Sequence, residues 1–453
     1  MRVPVAATAA GPLAGERYHL LGMAGRGLAP LAVAARHLGA DVTGCDQGGN
    51  PMYLDFLTGV GLGAMPEHSV RHLDDGATLV ATSVARAELP ELEAARSAGR
   101  LLHRTDLLAR VLSTRTSVGV TGSHGKGTVA ALTTAALVAD GQDPLAVLGL
   151  MVPVYEGPTR LGGGPLVAEV DDSDLTLARV PTDVAVVTNL DDDHPYLGHG
   201  LADSARAVGE FVSRARRRVL LGPSPRADLV AAYSRTEVWR VGRELGARTV
   251  SASGGETRLE LRAPDGVREH TVVRLLGPRS RLNAVLAFGA ALSLGADPGA
   301  AAAGLGTLER LTQRLEPIGD RDQVRVFADY GFKHPVNMRT GLDALRRHFP
   351  RARLVAVFEP YAGYLAPWGR RYADALGRAD AVVLAPAAVT EDFPVGRPFD
   401  PDWASTCRVR VAHAASRDDS VEEGLARCRP GDVLVLFAAP RTLTAWSAQA
   451  VPA

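Results

Sequence analysis

Lysine is nearly missing from this chain. Of 50 lysine and arginine residues in 453, only Lys126 and Lys333 are lysines. Each falls in a segment suited to phosphate, where a compact rotatable ammonium can follow a moving phosphoryl group better than a planar guanidinium. Cysteine is scarce too. Cys45, Cys407 and Cys428 are too few and too scattered for a disulfide framework or a zinc site, and read as small core hydrophobes. His19, His37 and His68 have no partners at metal-ligand spacing and read as surface or internally satisfied histidines. Net charge is also absent, with 50 acidic residues against 50 basic ones, which argues against nucleic acid or a membrane surface as the main partner. No apolar run approaches a membrane span, and the Ala-, Pro- and Gly-rich first residues lack the apolar stretch of a signal peptide. The expected location is the cytoplasm.

What is present is an ordinary globular composition, 46% apolar and 22% charged, at a length that predicts two to four domains. Strand and helix patterns alternate almost throughout, the signature of parallel sheets covered by helices. Tyr18 to Met23 reads as a strand, Leu28 to Leu38 as a helix and Asp41 to Cys45 as the next strand. A second unit starts near Thr116 with a strand at Ser117 to Thr121 and a helix at Val129 to Ala139. From Arg235 to Val273 the pattern shortens to polar–apolar alternation, with Pro264-Asp265-Gly266 as a hairpin turn. A third alternating unit begins near Thr312, with strands at Val324 to Ala328, Arg353 to Phe358, Ala381 to Leu384 and Val433 to Phe437.

The second unit carries the strongest chemical signal. Between its first strand and helix runs Gly122-Ser123-His124-Gly125-Lys126-Gly127-Thr128. Glycines let backbone N–H groups point inward, the helix N-terminus adds a favourable dipole, and a lysine in a solvated cradle reaches terminal phosphates. Two further strands end in acidic runs: Leu166 to Val170, containing Glu169, meets Asp171-Asp172-Ser173-Asp174, and Asp183 to Asn189 meets Asp191-Asp192-Asp193-His194. Ligands of open parallel sheets bind beyond the carboxyl ends of the strands, so one lysine loop and two acidic ends could surround a magnesium nucleotide.

The order and spacing of these segments resemble the Mur ligase family, and within it the branch that adds L-alanine to UDP-N-acetylmuramate. Gly22-Met23-Ala24-Gly25-Arg26-Gly27 and Thr43-Gly44-Cys45-Asp46 are similar to its UDP-binding amino-terminal segments, and His103-Arg104-Thr105-Asp106 to the end of that domain. Leu282-Asn283-Ala284, Arg314-Leu315-Glu316 and Asp329-Tyr330-Gly331 resemble its later nucleotide-contacting segments. The resemblance implies an α/β protein of three domains: residues 1–113, Rossmann-like, for a nucleotide-sugar carboxylate donor; 114–311, of phosphate-loop ATPase type; and 312–453, Rossmann-like, for an amine acceptor. It implies ATP and Mg2+ as cofactors and small molecules as substrates, the donor carrying UDP. The donor carboxylate would take the terminal phosphoryl of ATP to give an acyl phosphate, which an amine then attacks.

Carried over residue by residue, the resemblance assigns ATP to the loop from Gly122 to Thr128 and to Asn283, Arg314 and Asp329. Lys126, Glu169 and His194 are the catalytic set, with Thr128, Glu169 and His194 toward magnesium. Gly22, Gly25, Arg26, Gly27 and Asp46 fall to the donor nucleotide; for Ser83, which follows a strand end, a UDP contact and an ordinary loop serine are both open. Lys333, His334, Tyr361 and Tyr364 are acceptor candidates, the tyrosines equally readable as packing.

The departures from the family pattern gather at the acceptor end. Gly127 stands where a phosphate loop usually has its hydroxyl, and Thr128 follows one residue late, as in the folylpolyglutamate synthase variant. Tyr196 replaces an acidic residue, and no lysine is available for carbamylation in the hundred residues after His194. An extra residue enters the segment from Asp329 to Pro335. The arginine-rich stretch after the third unit's second strand becomes Glu359 to Pro367, and the glycine-rich final turn becomes Ala438-Ala439-Pro440-Arg441. Without an arginine fork to hold an α-carboxylate, the expected acceptor is not free L-alanine. Three functions follow in order: a divergent Mur-type ligase in specialised biosynthesis, the ordinary alanine-adding enzyme, and a silent nucleotide-binding scaffold.

Overall fold

The computed structural model describes residues 11–83, 85, 88–191, 200–277, 279–312, 314–330, 334–387 and 402–438. His194 and Lys333 lie outside them. The chain divides into two compact units, one of residues 1–248, 260–271 and 282–308, the other of 249–259, 272–281 and 309–453.

In the first unit, β1 (Arg17–Leu21), α1 (Ala29–His37), β2 (Asp41–Cys45), α2 (Pro51–Gly59), β3 (Thr78–Ala81), α3 (Pro90–Ser97), β4 (Leu101–His103) and α4 (Arg104–Ser113) form a parallel sheet in the order β2-β1-β3-β4. The helix α4 starts where it does because His103 accepts the Thr105 N–H at 3.2 Å while Asp106 accepts the His103 N–H at 3.2 Å, a reciprocal cap.

A second sheet follows from β5 (Ser117–Thr121), α5 (Lys126–Ala139), β6 (Leu145–Val152), β7 (Gly157–Arg160), β8 (Leu166–Glu169), β9 (Thr182–Val187), α6 (Leu201–Ser213), β10 (Ala215–Leu221), α7 (Ala227–Ala231) and β11 (Glu237–Arg240). Its order is β11-β10-β9-β5-β8-β6-β7, parallel except for the pair β6 and β7. The central strand β5 is buried along its whole length, as apolar runs covered on both faces of a parallel sheet should be. One apolar cluster includes Leu20, Val33 and Phe56 together with Val147, Ala185 and Phe211, so both sheets share a core. Next come β12 (Gly246–Ser253), β13 (Glu256–Arg262) and β14 (Arg268–Val273), a sheet in that order, then α8 (Ser280–Ser293) and α9 (Pro298–Leu305). The expected hairpin turn joins β13 to β14, with Gly266 at φ 91° and the Ala263 N–H donating to the Val267 carbonyl at 2.8 Å.

The second unit holds β15 (Glu316–Arg321), β16 (Val324–Ala328), α10 (Pro335–His348), β17 (Leu354–Phe358), α11 (Ala362–Leu376), β18 (Ala381–Leu384), β19 (Val411–His413), α12 (Arg417–Leu425) and β20 (Val433–Phe437). The sheet order is β15-β16-β20-β17-β18-β19, with β15 antiparallel to β16 and the rest parallel. The α/β expectation holds, and β2, β5, β16, β18 and β20 match their sequence-read bounds residue for residue. Among the described residues no helix is long and apolar enough to cross a membrane.

Candidate active site

In the second sheet β5 lies between β9 and β8, so the glycine loop after β5 is flanked by the two acidic strand ends. The loop is held from the β9 side. Ser123 Oγ donates to the Asp191 carbonyl at 3.0 Å and accepts its N–H at 2.8 Å. Thr188 Oγ1 and Asn189 Nδ2 both donate to the His124 carbonyl at 2.7 Å, and Asn189 Oδ1 accepts the His124 N–H at 3.0 Å. His124 Nε2 stands 3.3 Å from Asp191 Oδ2. Gly122 and Gly125 have φ 116° and 90°, in the left-handed region that favours glycine. A Cβ at Gly125 would also sit 2.7 Å from Asn283 Oδ1.

From the β8 side, Lys126 Nζ donates to Asp172 Oδ1 at 2.8 Å and to the Gly122 carbonyl at 2.7 Å. The cradle is not the solvated one that the sequence suggests, because the Lys126 and Asp172 side chains are 12% and 5% exposed. Burial disfavours the ammonium, but the carboxylates of Asp172, Asp171 and Glu169 outweigh it and hold its pKa above the usual lysine range. Glu169 is wedged between two glycines. Its Oε2 accepts the Gly149 N–H at 3.0 Å and would be 2.5 Å from a Cβ at Gly149 and 2.7 Å from one at Gly127. Gly127 thus replaces the usual hydroxyl residue because Glu169 and the Leu150 side chain fill the space a Cβ needs. Thr128, next in α5, is buried.

These residues fit a magnesium nucleotide. Glu169 and Thr128 supply hard oxygen donors beside a lysine. Asn283 Oδ1 is buried with no hydrogen-bond partner among the described residues, and its amide can present oxygen or nitrogen to a ligand.

The donor-side residues lie in the same unit. The Gly22 and Met23 N–H groups donate to the Cys45 carbonyl at 2.8 and 3.0 Å, and the Ala24 N–H to Asp46 Oδ2 at 2.8 Å. Gly25 donates back to the Gly22 carbonyl at 2.9 Å, while Arg26 is exposed. A Cβ at Gly27 would be 2.8 Å from Arg104 Nη1. Arg104, to which the sequence alone assigns no role, also reaches Asp171 at 2.6 Å and Asp174 at 3.7 Å. Ser83 Oγ donates to Asp174 Oδ2 at 2.7 Å and lies 3.0 Å from His103 Nε2. Arg104 and Ser83 therefore join the first sheet's loops to the acidic end of β8, a link no local pattern reveals.

The remaining candidates belong to the second unit. Arg314 lines a pocket of about 400 Å³ together with Arg274, Arg310, Arg325, Glu256 and Glu309 and the apolar Leu315 and Phe349, so its lining carries both signs of charge. Asp329 is buried at the end of β16, and Glu359 is buried at the end of β17, its Oε1 3.0 Å from Arg417 Nε. His334 caps α10, accepting the Val336 N–H at 3.2 Å, with its ring edge-on to Trp368 at 4.7 Å. Tyr364 is 2% exposed and stacked on Trp368 at 5.0 Å, so it packs the core, while Tyr361 is only partly buried.

Fold and site together define an α/β ligase of the phosphate-loop type, built to activate a carboxylate with ATP. Residues 17–116 match the Mur ligase family, catalytic domain, and residues 313–439 the Mur ligase, glutamate ligase domain. The UDP-N-acetylmuramate–L-alanine ligase of Kineococcus radiotolerans is 35% identical over 454 residues, 93% of this chain and 93% of the relative. That of Gloeobacter violaceus is 32% identical over 453 residues, 94% and 93% of the two chains. The crystal structure of the UDP-N-acetylmuramate–alanine ligase of Thermotoga maritima has a TM-score of 0.77 at 19% identity, covering 96% of this chain and 99% of that one. Mycobacterium tuberculosis folylpolyglutamate synthase, solved with ADP and AMPPCP, has a TM-score of 0.60 at 19% identity, covering 76% and 92%. The chain belongs to the Mur ligase family. It has that family's three-domain α/β fold and is an ATP- and magnesium-dependent, amide-bond-forming ligase acting on small molecules.

Proposed function

We propose that this ligase joins a UDP-linked carboxylate of the N-acetylmuramate kind to an amine other than free L-alanine, in a cytoplasmic and specialised biosynthetic role. Residues 1–113 hold the donor, with Gly22, Gly25, Arg26, Gly27, Asp46 and Ser83 toward its nucleotide. Residues 114–311 hold ATP on the loop from Gly122 to Thr128 and on Asn283, and residues 312–453 receive the amine, with His334 and Tyr361 toward it.

In this reading Lys126 neutralises the terminal phosphates and releases Asp172 as it turns to them. Glu169, Thr128 and His194 hold magnesium, which supplies further neutralisation of the phosphoryl charge. The donor carboxylate takes the phosphoryl group from ATP. The amine attacks the acyl carbon, phosphate leaves with the bonding pair, and the amine proton passes to a base or solvent.

The observation that carries the altered acceptor is Glu359. A buried carboxylate paired with Arg417 at 3.0 Å opens the segment that replaces the family's arginine-rich stretch, so the nearby guanidinium is already charge-paired before any amino acid's carboxylate arrives. The likeness to alanine-adding relatives over 93% of the chain favours a second reading, the ordinary alanine-adding enzyme. Product mass and the specificity constant kcat/KM for L-alanine against a panel of amines, with UDP-N-acetylmuramate and ATP, separate the two. Preferential use of L-alanine establishes the second. Absence of any amide product across the panel, with nucleotide still bound, contradicts both choices of donor and acceptor.

A further inference from the structure

The strongest unassigned constellation lies on one face of the first sheet. His19 of β1, Cys45 at the end of β2, His72 in the short helical turn Val70–Leu73 and Glu91 in the first turn of α3 each offer one ligand atom, and these atoms all lie within 4.8 Å of one another. Sequence spacing alone reads His19 as solitary and Cys45 as a core hydrophobe. The fold does bury Cys45 among apolar side chains and satisfies His19 internally, but it also brings four separate elements together, which no spacing along the chain shows.

Three observations make this a ligand set and not a polar accident. Tetrahedral zinc with bonds of about 2.0–2.3 Å has ligand atoms about 3.3–3.8 Å apart. Here His19 Nε2 to Cys45 Sγ is 3.3 Å, His72 Nδ1 to Glu91 Oε1 is 3.4 Å and Cys45 Sγ to Glu91 Oε1 is 3.8 Å. His19, Cys45 and Glu91 are 0%, 0% and 1% exposed, and although His72 Nδ1 lies 3.4 Å from Glu91 Oε1 and His68 Nδ1 3.9 Å from Glu91 Oε2, His72 Nδ1 and Glu91 Oε2 make no hydrogen bond among the described residues. Burying such atoms beside Leu21, Leu73 and Leu92 without a hydrogen bond is unfavourable, and a bound cation would satisfy them. The ligands are also oriented from behind: His19 Nδ1 is 2.9 Å from Thr43 Oγ1, which leaves Nε2 free to ligate, and the Ser69 N–H donates to Glu91 Oε1 at 2.6 Å. His68 Nδ1, 3.1 Å from Cys45 Sγ, stands at the rim as a fifth group.

We propose that His19, Cys45, His72 and Glu91 form a structural site for a zinc-class divalent cation, distinct from the magnesium site of the ATP loop. Cys45 binds as the thiolate, and its proton goes to solvent. The donor set is mixed thiolate, imidazole and carboxylate, which suits zinc and disfavours magnesium, and four protein ligands leave no open position for catalysis. The site braces β1, β2 and α3 immediately behind the turn whose N–H groups rest on the Cys45 carbonyl, so it stiffens the loop assigned to the donor nucleotide.

The test is titration of the chelator-treated full-length protein with Co2+, read by absorbance, and with Zn2+, read by bound metal and thermal midpoint. The expected result is one equivalent of tetrahedral cobalt with a thiolate-to-cobalt charge-transfer band, displaced by zinc, with Tm raised by zinc. Cys45→Ser should abolish the band, His72→Ala should weaken cobalt binding at least about tenfold, and Glu169→Gln should leave the band intact. A wild-type protein with no thiolate band at saturating cobalt overturns the proposal. So does a band that survives in Cys45→Ser. Should Cys45→Ser fail to fold, Cys407→Ser/Cys428→Ser decides: a band retained there supports Cys45 as the ligand, and a band lost contradicts it.

Discussion

Lys126 Nζ and Asp172 Oδ1 lie 2.8 Å apart, and this buried pair ties the nucleotide loop to the neighbouring strand end. Lys126→Ala should lower ATP-dependent phosphate release by roughly a thousandfold, because charge stabilisation of phosphoryl transfer is lost. It should also destabilise the fold by about 3–5 kcal/mol by leaving Asp172 buried without its partner. Lys126→Ala/Asp172→Asn should recover much of that stability in urea unfolding and none of the activity. Near-normal phosphate release by Lys126→Ala contradicts the assignment of the loop to ATP.

Gly127 faces Glu169 too closely for any side chain, and the structure therefore makes a directional prediction about the missing hydroxyl. Moving it back by Gly127→Ser should push the Glu169 carboxylate and Leu150 aside, cost about 1–3 kcal/mol of stability, and shift the magnesium titration to higher concentration. Glu169→Gln should shift that titration as well, with little loss of Tm. Unchanged magnesium dependence in both variants would make Glu169 a structural residue.

Asp174 joins the first sheet's Ser83 and His103 to the end of β8. Burial opposes its ionisation, but hydrogen bonds from His103, Thr176 and Ser83 and the charge of Arg104 prevail, holding its carboxyl well below the usual carboxylate range. A folded pKa below the unfolded value of about 3.9 stabilises the fold above that pH, and the contribution is lost as pH falls further toward the folded value. Asp174→Asn should reduce stability at pH 7 by about 1–3 kcal/mol and flatten its decline below about pH 4. An unfolding-versus-pH curve parallel to wild type contradicts this account.

The two tyrosines of the acceptor stretch should part company. Tyr364→Ala removes a buried ring stacked on Trp368 and should cost about 3–5 kcal/mol. Tyr361→Ala should leave Tm nearly unchanged and raise KM for the amine. Loss of stability in both, with no change in KM, would make the whole stretch packing.

The sequence by itself determined the parts in which contiguous residues do the work. A buried apolar strand followed by a glycine turn and a lysine can only present its backbone N–H groups one way, so the cradle from Gly122 to Thr128 and the bounds of β5 are legible without coordinates. The hairpin at Gly266 is legible for the same reason, since its left-handed backbone angle is a local demand. Tertiary structure alone decided what meets across elements. It gave Lys126 its partner Asp172, put Arg104 between Gly27 and Asp171, placed Tyr364 inside the core, and gathered His19, Cys45, His72 and Glu91 from four elements into one cluster. Ligand spacing along a chain reveals a site only when neighbouring residues share it; here the order of strands and the packing of α3 on their face set the distances, and neither is written in any short window of sequence.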